Sequence, residues 1–182
     1  MTKSREKILN AAEGRLLARG PAGLVLDAVA IDAGISKGGL LHHFPSKEAL
    51  VGGLCDRMLE RFEEEMTSAA ASDSESLGSW TRAYLASTVT GEGKPADNSA
   101  QLMAGILATM GQDSVHLEKV RQHFVRWHAR IASDGIDPIT ATLVRLAADG
   151  LWLSALLGLQ RINPDSSADL LSELRDMTRP MR

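Results

Sequence analysis

The sequence predicts an all-α protein of about nine helices: a three-helix helix-turn-helix head at the N terminus and a larger helical domain behind it. Three observations lead there. Apolar residues recur at spacings of three and four along most of the chain, and no stretch alternates as a half-buried strand would. Ser, Asp or Pro stands before these periodic runs and Gly after them, in the order of helix starts and stops. Residues 28–50, AVAIDAGISKGGLLHHFPSKEAL, turn two short helices around a glycine corner and halt at a proline, which is a helix-turn-helix layout.

The first helix is read from REKILNAAEGRLLARG, residues 5–20. In the second, Val29, Ala30 and Ala33 share a face, Gly34 supplies the positive φ of a tight corner, and Ile35 plugs the space beneath it. Ser36 caps a third helix, which is held to about two turns because Pro45 disfavours helical backbone at Phe44. Phe44 itself is a core residue. Ser46 caps the fourth, where Leu50, Leu54, Met58 and Phe62 run toward Met66, with Arg57, Glu60, Arg61 and Glu64 expected on the wet face.

After a polar run at 68–76, the fifth helix covers 79–89 and ends at Gly91 and Gly93, and GEGKPADN, residues 91–98, reads as a connection. Asp97 or Asn98 caps a sixth helix that reaches Met110 and is stopped by Gly111. Asp113 opens a seventh, with Val120, Phe124, Trp127 and Ile131 on one stripe and Gly135 at its end. Pro138 suits the first turn of the eighth. Residues 139–159 are apolar on nearly every face, so this helix is expected to be buried on several sides. Asn163, Pro164 and Asp165 form a turn, and Ser166 with Asp169 resembles a capping box for the ninth helix, which carries Leu170, Leu171 and Leu174.

Composition fits a packed globular chain: 44% of the 182 residues are hydrophobic, enough for a sizeable core. No apolar run reaches the roughly 20 residues that span a bilayer, and the charged, amphipathic start at 3–19 is unlike a secretory leader. A single cysteine, Cys55, allows no intramolecular disulfide and fits a reducing, cytoplasmic setting; its surroundings mark it as a small core residue. The net charge of −3 is unevenly spread. Residues 1–50 hold seven Lys or Arg and five acids, whereas residues 51–182 hold 13 and 18. Only the head is therefore suited to a polyanion.

The segment 28–50, with the first helix before it and HHFPSKEAL (42–50) linking it to the fourth, resembles the DNA-binding head of the TetR family of bacterial transcriptional regulators. The likeness is specific over about residues 4–54 and topological beyond, apart from DGLWLSALLG (149–158), which is similar to the family's penultimate, dimer-forming helix. It implies a DNA-binding domain at 1–45 and an effector-binding and dimerisation domain at 46–182. It also implies a homodimer that binds a palindromic operator in double-stranded DNA and is released, as a repressor, by a small molecule. Ser36, Lys37, Gly38, His42, His43 and Lys47 match positions that relatives use for DNA contact or for holding the reading helix. Three customary contacts are absent: Val25 stands where a phosphate-binding Thr is usual, and Gly39 and Leu41 stand where Thr and Tyr are common.

On this reading Lys37 reaches a guanine edge or a phosphate, His42 and His43 donate to phosphates, and Lys47 lies near the DNA backbone. Gly38 and Gly39 each lower helix propensity by up to about 1 kcal/mol, so the reading helix is expected to order fully on DNA, with Gly39 permitting close backbone approach. Of Leu40 and Leu41, one is expected in the core and one toward the groove. Leu153, Leu157, Leu170 and Leu174, with Gly150 and Gly158 allowing close helix approach, are the candidate dimer seam. Two reading helices about 34 Å apart then meet successive major-groove faces.

Phe62, Trp80, Tyr84, Met103, Ile106, Met110, Trp127 and Trp152 are the candidates to line a cavity for an apolar or aromatic effector. The fourth helix, which starts near the DNA at Ser46 and runs to Met58 and Phe62, is the natural lever between the two functions. The alternative is a DNA-binding dimer without an effector, controlled by a protein partner. An enzyme is disfavoured. The five histidines, His42, His43, His116, His123 and His128, show no zinc-site spacing, and no GxSxG, P-loop or dinucleotide fingerprint is present, so no catalytic residue, metal or cofactor is assigned.

Overall fold

The computed structural model describes residues 3–89, 98–110, 115–159 and 164–179. Among them nine α-helices follow in order: α1 (Lys3–Arg19), α2 (Leu26–Asp32), α3 (Lys37–His43), α4 (Lys47–Ser72), α5 (Ser79–Thr88), α6 (Ser99–Thr109), α7 (Val115–Ala132), α8 (Pro138–Leu156) and α9 (Pro164–Met177), with a 3-10 turn at Gly20–Gly23 after α1. The all-α expectation holds. Gly91, Gly93, the cap Asp97, the stop Gly111, the opener Asp113 and the turn residue Asn163 lie outside the described residues. Helix α9 starts at Pro164, ahead of the expected cap at Ser166, because the fixed φ of proline is already suited to a first helical position.

Contacts group the described residues into two compact units. The first takes those within Met1–Leu59 and Gln101–Val120, and the second those within Glu60–Ala100 and Arg121–Arg182. In the first unit α6 lies directly on α1. A Cβ added to Gly105 would stand 2.8 Å from the Leu16 side chain, and Gln101 Nε2 donates to the Leu17 carbonyl at 3.1 Å. The start of α7 lies on α4 in the same way, the His116 ring filling the space above Gly52 and Lys119 pairing with Asp56 at 2.6 Å.

The strongest polar tie in this unit was not expected. Arg57, placed by its periodicity on the wet face of α4, is buried. Its Nη1 donates to Asn10 Oδ1 at 2.7 Å, and its Nη2 donates to the Leu9 carbonyl at 3.0 Å and to the Glu13 carboxylate, with Glu6 3.6 Å away. Glu6, Asn10 and Glu13 are spaced by four and three, so one face of α1 supplies the acceptors. Glu60, Arg61 and Glu64 are exposed as expected. Cys55 is fully buried beside this site, and burial, with Asp56 next to it, pushes its thiol up to about 11, leaving an inert core residue.

The second unit is built around another buried arginine. Arg82 on α5 donates to Asp73 at 2.7 Å, to the Glu75 carbonyl at 2.7 Å and to the Thr178 carbonyl at 3.1 Å. Its guanidinium holds the Asp73 carboxyl below the usual carboxylate range. Gly78 opens α5 at φ +75°, and a Cβ there would stand 2.6 Å from the Thr178 carbonyl, so both its conformation and its neighbours demand glycine. Asp134 is buried and accepts from Thr81 N at 2.7 Å and Thr81 Oγ1 at 2.9 Å.

Helix α8, opened by Asp137 accepting from Thr140 N at 2.8 Å, packs on α5 and α9. Only Ala141, Val144 and Ala148 of it are fully buried, so the expectation of burial on several sides is not met within one protomer. Among the described residues it is the one helix long and apolar enough to cross a membrane, although Arg145 and Asp149, paired at 2.8 Å, interrupt it.

Replacing Arg57 by Met strands the Glu13 and Glu6 carboxylates and is expected to destabilise the protein by about 3 kcal/mol in urea unfolding. Adding Glu6→Gln and Glu13→Gln should restore part of the loss. A single variant as stable as the parent would show that the cluster contributes nothing.

Candidate nucleic-acid interface

Three groups hold the helix-turn-helix, and each follows from local chemistry. At the corner, Gly34 sits at φ +66° with open space around it, so backbone conformation alone selects glycine there. Ser36 caps α3, its Oγ accepting from Gly39 N at 3.0 Å. Beneath α3, Leu40 has no exposure and Phe44 is buried, with Gly53 of α4 leaving room for the Phe44 ring and the Arg5 guanidinium 5.5 Å above it. Arg15 ties the preceding elements together, donating to the Gly23 carbonyl at 2.8 Å and to Asp32 at 2.7 Å.

This leaves the opposite face of α3 outward. Ser36, Lys37, Gly38 and His42 are exposed, while Gly39, Leu41 and His43 are half-buried. Of the two leucines, Leu40 is the one in the core, and Leu41 is half-buried. His42 and His43 meet edge to face at 5.4 Å. A Cβ on Gly38 would touch nothing within 4 Å, and one on Gly39 only Ser36 Oγ at 3.3 Å. Packing within the chain therefore does not require Gly38, whereas a side chain at Gly39 would press on the Ser36 cap. Lys37 pairs with Asp27 of α2 at 2.8 Å, a contact absent from the sequence reading. Lys47 is exposed and donates to the Pro21 carbonyl at 3.3 Å, which sets it beside the 3-10 turn. Val25 occupies the cap position of α2 with no side-chain hydrogen bond and is half exposed.

Of the eight effector candidates, the second unit brings three into one aromatic cluster. Phe62 lies 5.9 Å from Tyr84 and 4.8 Å from Trp127, ring centre to ring centre. Phe124 and His128, 5.7 Å apart, extend it, with Phe124 5.2 Å from Trp127 and His128 6.4 Å from Tyr84. The Trp127 indole donates to Glu63, and Trp80 lies under the Arg130 guanidinium at 4.2 Å. Trp152 is half-buried on α8. Met103, Ile106 and Met110 belong to the first unit, the first two in its core.

Sequence reasoning missed the polar edge of the aromatic cluster. Tyr84 donates to Asp149, whose other oxygen pairs with Arg145, and Arg145 Nη1 is 3.5 Å from His128 Nε2. Burial, reinforced by Asp149, raises the Tyr84 hydroxyl above its ordinary value, and burial with Arg145 lowers His128, so both rings stay neutral near pH 7. Arg145 and Asp149 are an i, i+4 pair on an otherwise apolar helix, which is the signal that could have found them. Of the histidines spaced by seven, His116 covers Gly52 in the first unit and His123 meets Trp127 at 5.7 Å in the second. Among the described residues no three His, Cys, Asp or Glu side chains gather as metal ligands.

Along α8, Ile139, Leu143, Leu146, Leu153 and Leu157 are all about half exposed or more, and Gly150 continues their line. Their spacings of four, three, four, three and four make one seam-like stripe. Gly150 and Gly158 are exposed with open space where a Cβ would be, and Leu170 is half-buried. Leu174, by contrast, is buried in its own protomer, as is its neighbour Leu171.

Two family profiles match the chain: "Bacterial regulatory proteins, tetR family" over residues 8–54 and "Tetracyclin repressor-like, C-terminal domain" over residues 78–179. Among solved structures, a transcriptional regulator from Rhodococcus sp. Rha1 is similar at a TM-score of 0.74 and 20% identity, covering 97% of this chain and 96% of that one. NalD, the secondary repressor of the MexAB-OprM multidrug efflux pump in Pseudomonas aeruginosa, is similar at 0.58 and 21%, covering 96% and 94%. The multidrug binding protein EbrR, complexed with ethidium, is similar at 0.66 and 23%, covering 94% and 98%. No curated protein matches the chain in sequence.

If Lys47 contacts a phosphate, Lys47→Ala should weaken binding to all duplexes alike and lower the slope of log affinity against log salt by about one unit. An unchanged slope in a salt titration would remove Lys47 from the interface.

Proposed function

We propose that this chain, which belongs to the TetR family of bacterial regulatory proteins, is a cytoplasmic transcriptional repressor that binds a palindromic operator as a homodimer and lets go when a small apolar or aromatic molecule binds. Residues 1–45 would carry the DNA contacts and residues 46–182 the effector and dimer functions. One observation supports DNA binding above others: α3 and its cap turn Leu40 and Phe44 inward and leave Ser36, Lys37, Gly38 and His42 outward, with Gly38 at a place where a side chain would meet nothing of the chain. A surface without side chains there lets a phosphate backbone come close.

The stripe on α8 supports the homodimer. An exposed apolar line of this length on a water-facing helix is a liability unless covered, and a two-fold axis lets the same stripe cover itself. Charged side chains there should be decisive. The double variant Leu153→Arg, Leu157→Arg is expected to sediment as a folded monomer and to lose operator affinity by at least about 100-fold, since half the contacts go with the second head. A variant that remains dimeric would move the seam elsewhere.

The aromatic cluster of Phe62, Tyr84 and Trp127 supports an effector with a flat apolar body. Ethidium, seen with EbrR, is a direct probe. At about 100 times its dissociation constant, in the absence of DNA, it should stabilise the native protein by about 2.7 kcal/mol and quench tryptophan fluorescence. No thermal shift with ethidium or with other planar aromatics would favour the effector-independent reading.

A further inference from the structure

From the contact between Lys37 and Asp27 we infer that the two side chains together read a single G·C base pair, with Asp27 as a specificity determinant that the family resemblance did not assign. The inference rests on the DNA-binding reading above. Lys37 is the first residue of α3 and Asp27 lies in the first turn of α2, so the helix-turn-helix brings the start of its reading helix against the start of the helix before it. Their ammonium and carboxylate are 2.8 Å apart, and both side chains are about 60% exposed. The pair thus stands outside the protein, at the end of the reading helix from which base edges are contacted.

The major-groove edge of a G·C pair offers, in order, the acceptors N7 and O6 of guanine and the donor N4 of cytosine. O6 and N4 are hydrogen-bonded to each other and so lie about 2.9 Å apart. The protein presents the same separation with the polarities reversed. Lys37 can sit on N7 and O6 while Asp27 accepts from N4, and neither has to give up its partner's charge to do so. An A·T pair fits poorly, because its donor N6 lies between the acceptors N7 and O4, and a carboxylate placed there faces electron-rich atoms on both sides. Away from such a pair Asp27 only repels DNA, so the same residue that accepts from cytosine lowers affinity for other sequences.

Selection of bound sites from random duplexes, carried out with the full-length protein and its variants, tests this. Wild-type sites should carry one G·C pair at a fixed place in each half-site. Lys37→Ala and Asp27→Ala should each relax preference at that same place by about fivefold or more and leave the others unchanged. Asp27→Asn, which keeps an acceptor oxygen, should retain part of the preference, and thermal unfolding should show all three variants folded. Three results would overturn the inference: Asp27→Ala tightening every duplex equally, the two alanine variants relaxing different positions, or Asp27→Asn behaving as Asp27→Ala. Wild-type protein that selects no duplex at all would instead reject the DNA-binding reading on which it stands.

Discussion

Much of the first unit depends on one buried charge. A guanidinium withdrawn from water is costly unless its donors are met, and Arg57 meets them on a single face of α1 through Leu9, Asn10 and Glu13. That requirement fixes the register of α4 against α1. Once it is fixed, Gly53 falls where Phe44 needs space, and the exit of α3 is seated on α4 and α1 together. The outward face of the reading helix is thus decided four residues further along α4 than the apolar contacts it rests on. Arg82 plays the corresponding part in the second unit, where it gathers Asp73, Glu75 and Thr178.

The sequence places a boundary after residue 45, just past the end of α3 at His43. By contact, α6 from Gln101 and the start of α7 group with the head, through Gly105 on Leu16 and His116 on Gly52. Two glycines make those close approaches possible, and neither advertises itself by a turn or a positive φ. Helix α4 contributes to both units, its residues up to Leu59 to one and those from Glu60 to the other.

What could be read from the sequence was what local chemistry decides. Gly34, Ser36, Ser46, Pro138 and the short α3 all do what their side chains dictate within a turn or two of backbone. Periodicity placed Val120, Trp127 and Ile131 on one stripe, and all three are buried, as is Phe44, whereas the choice between Leu40 and Leu41 was left open. It failed where a polar residue finds a distant partner. Arg57 was assigned to water because its spacing matched Glu60, Arg61 and Glu64, and only the acceptors on α1, 44 to 48 residues away, reverse that. The links from Tyr84 to Asp149 and from Lys37 to Asp27 were invisible for the same reason. On α8 the apolar count was legible, but not which side chains the protomer itself buries: Ala141, Val144 and Ala148 are buried, and Leu153 and Leu157, expected at a dimer seam, are left exposed.

The central claim is that two such outward reading faces act together on one duplex. Hydroxyl-radical footprinting on a duplex chosen by the protein measures this directly. Two protected patches are expected on one face of the DNA, related by a two-fold axis and centred about one helical turn, roughly 34 Å, apart or a multiple of it. A single patch without symmetry, or uniform protection with no preferred sequence, would contradict it.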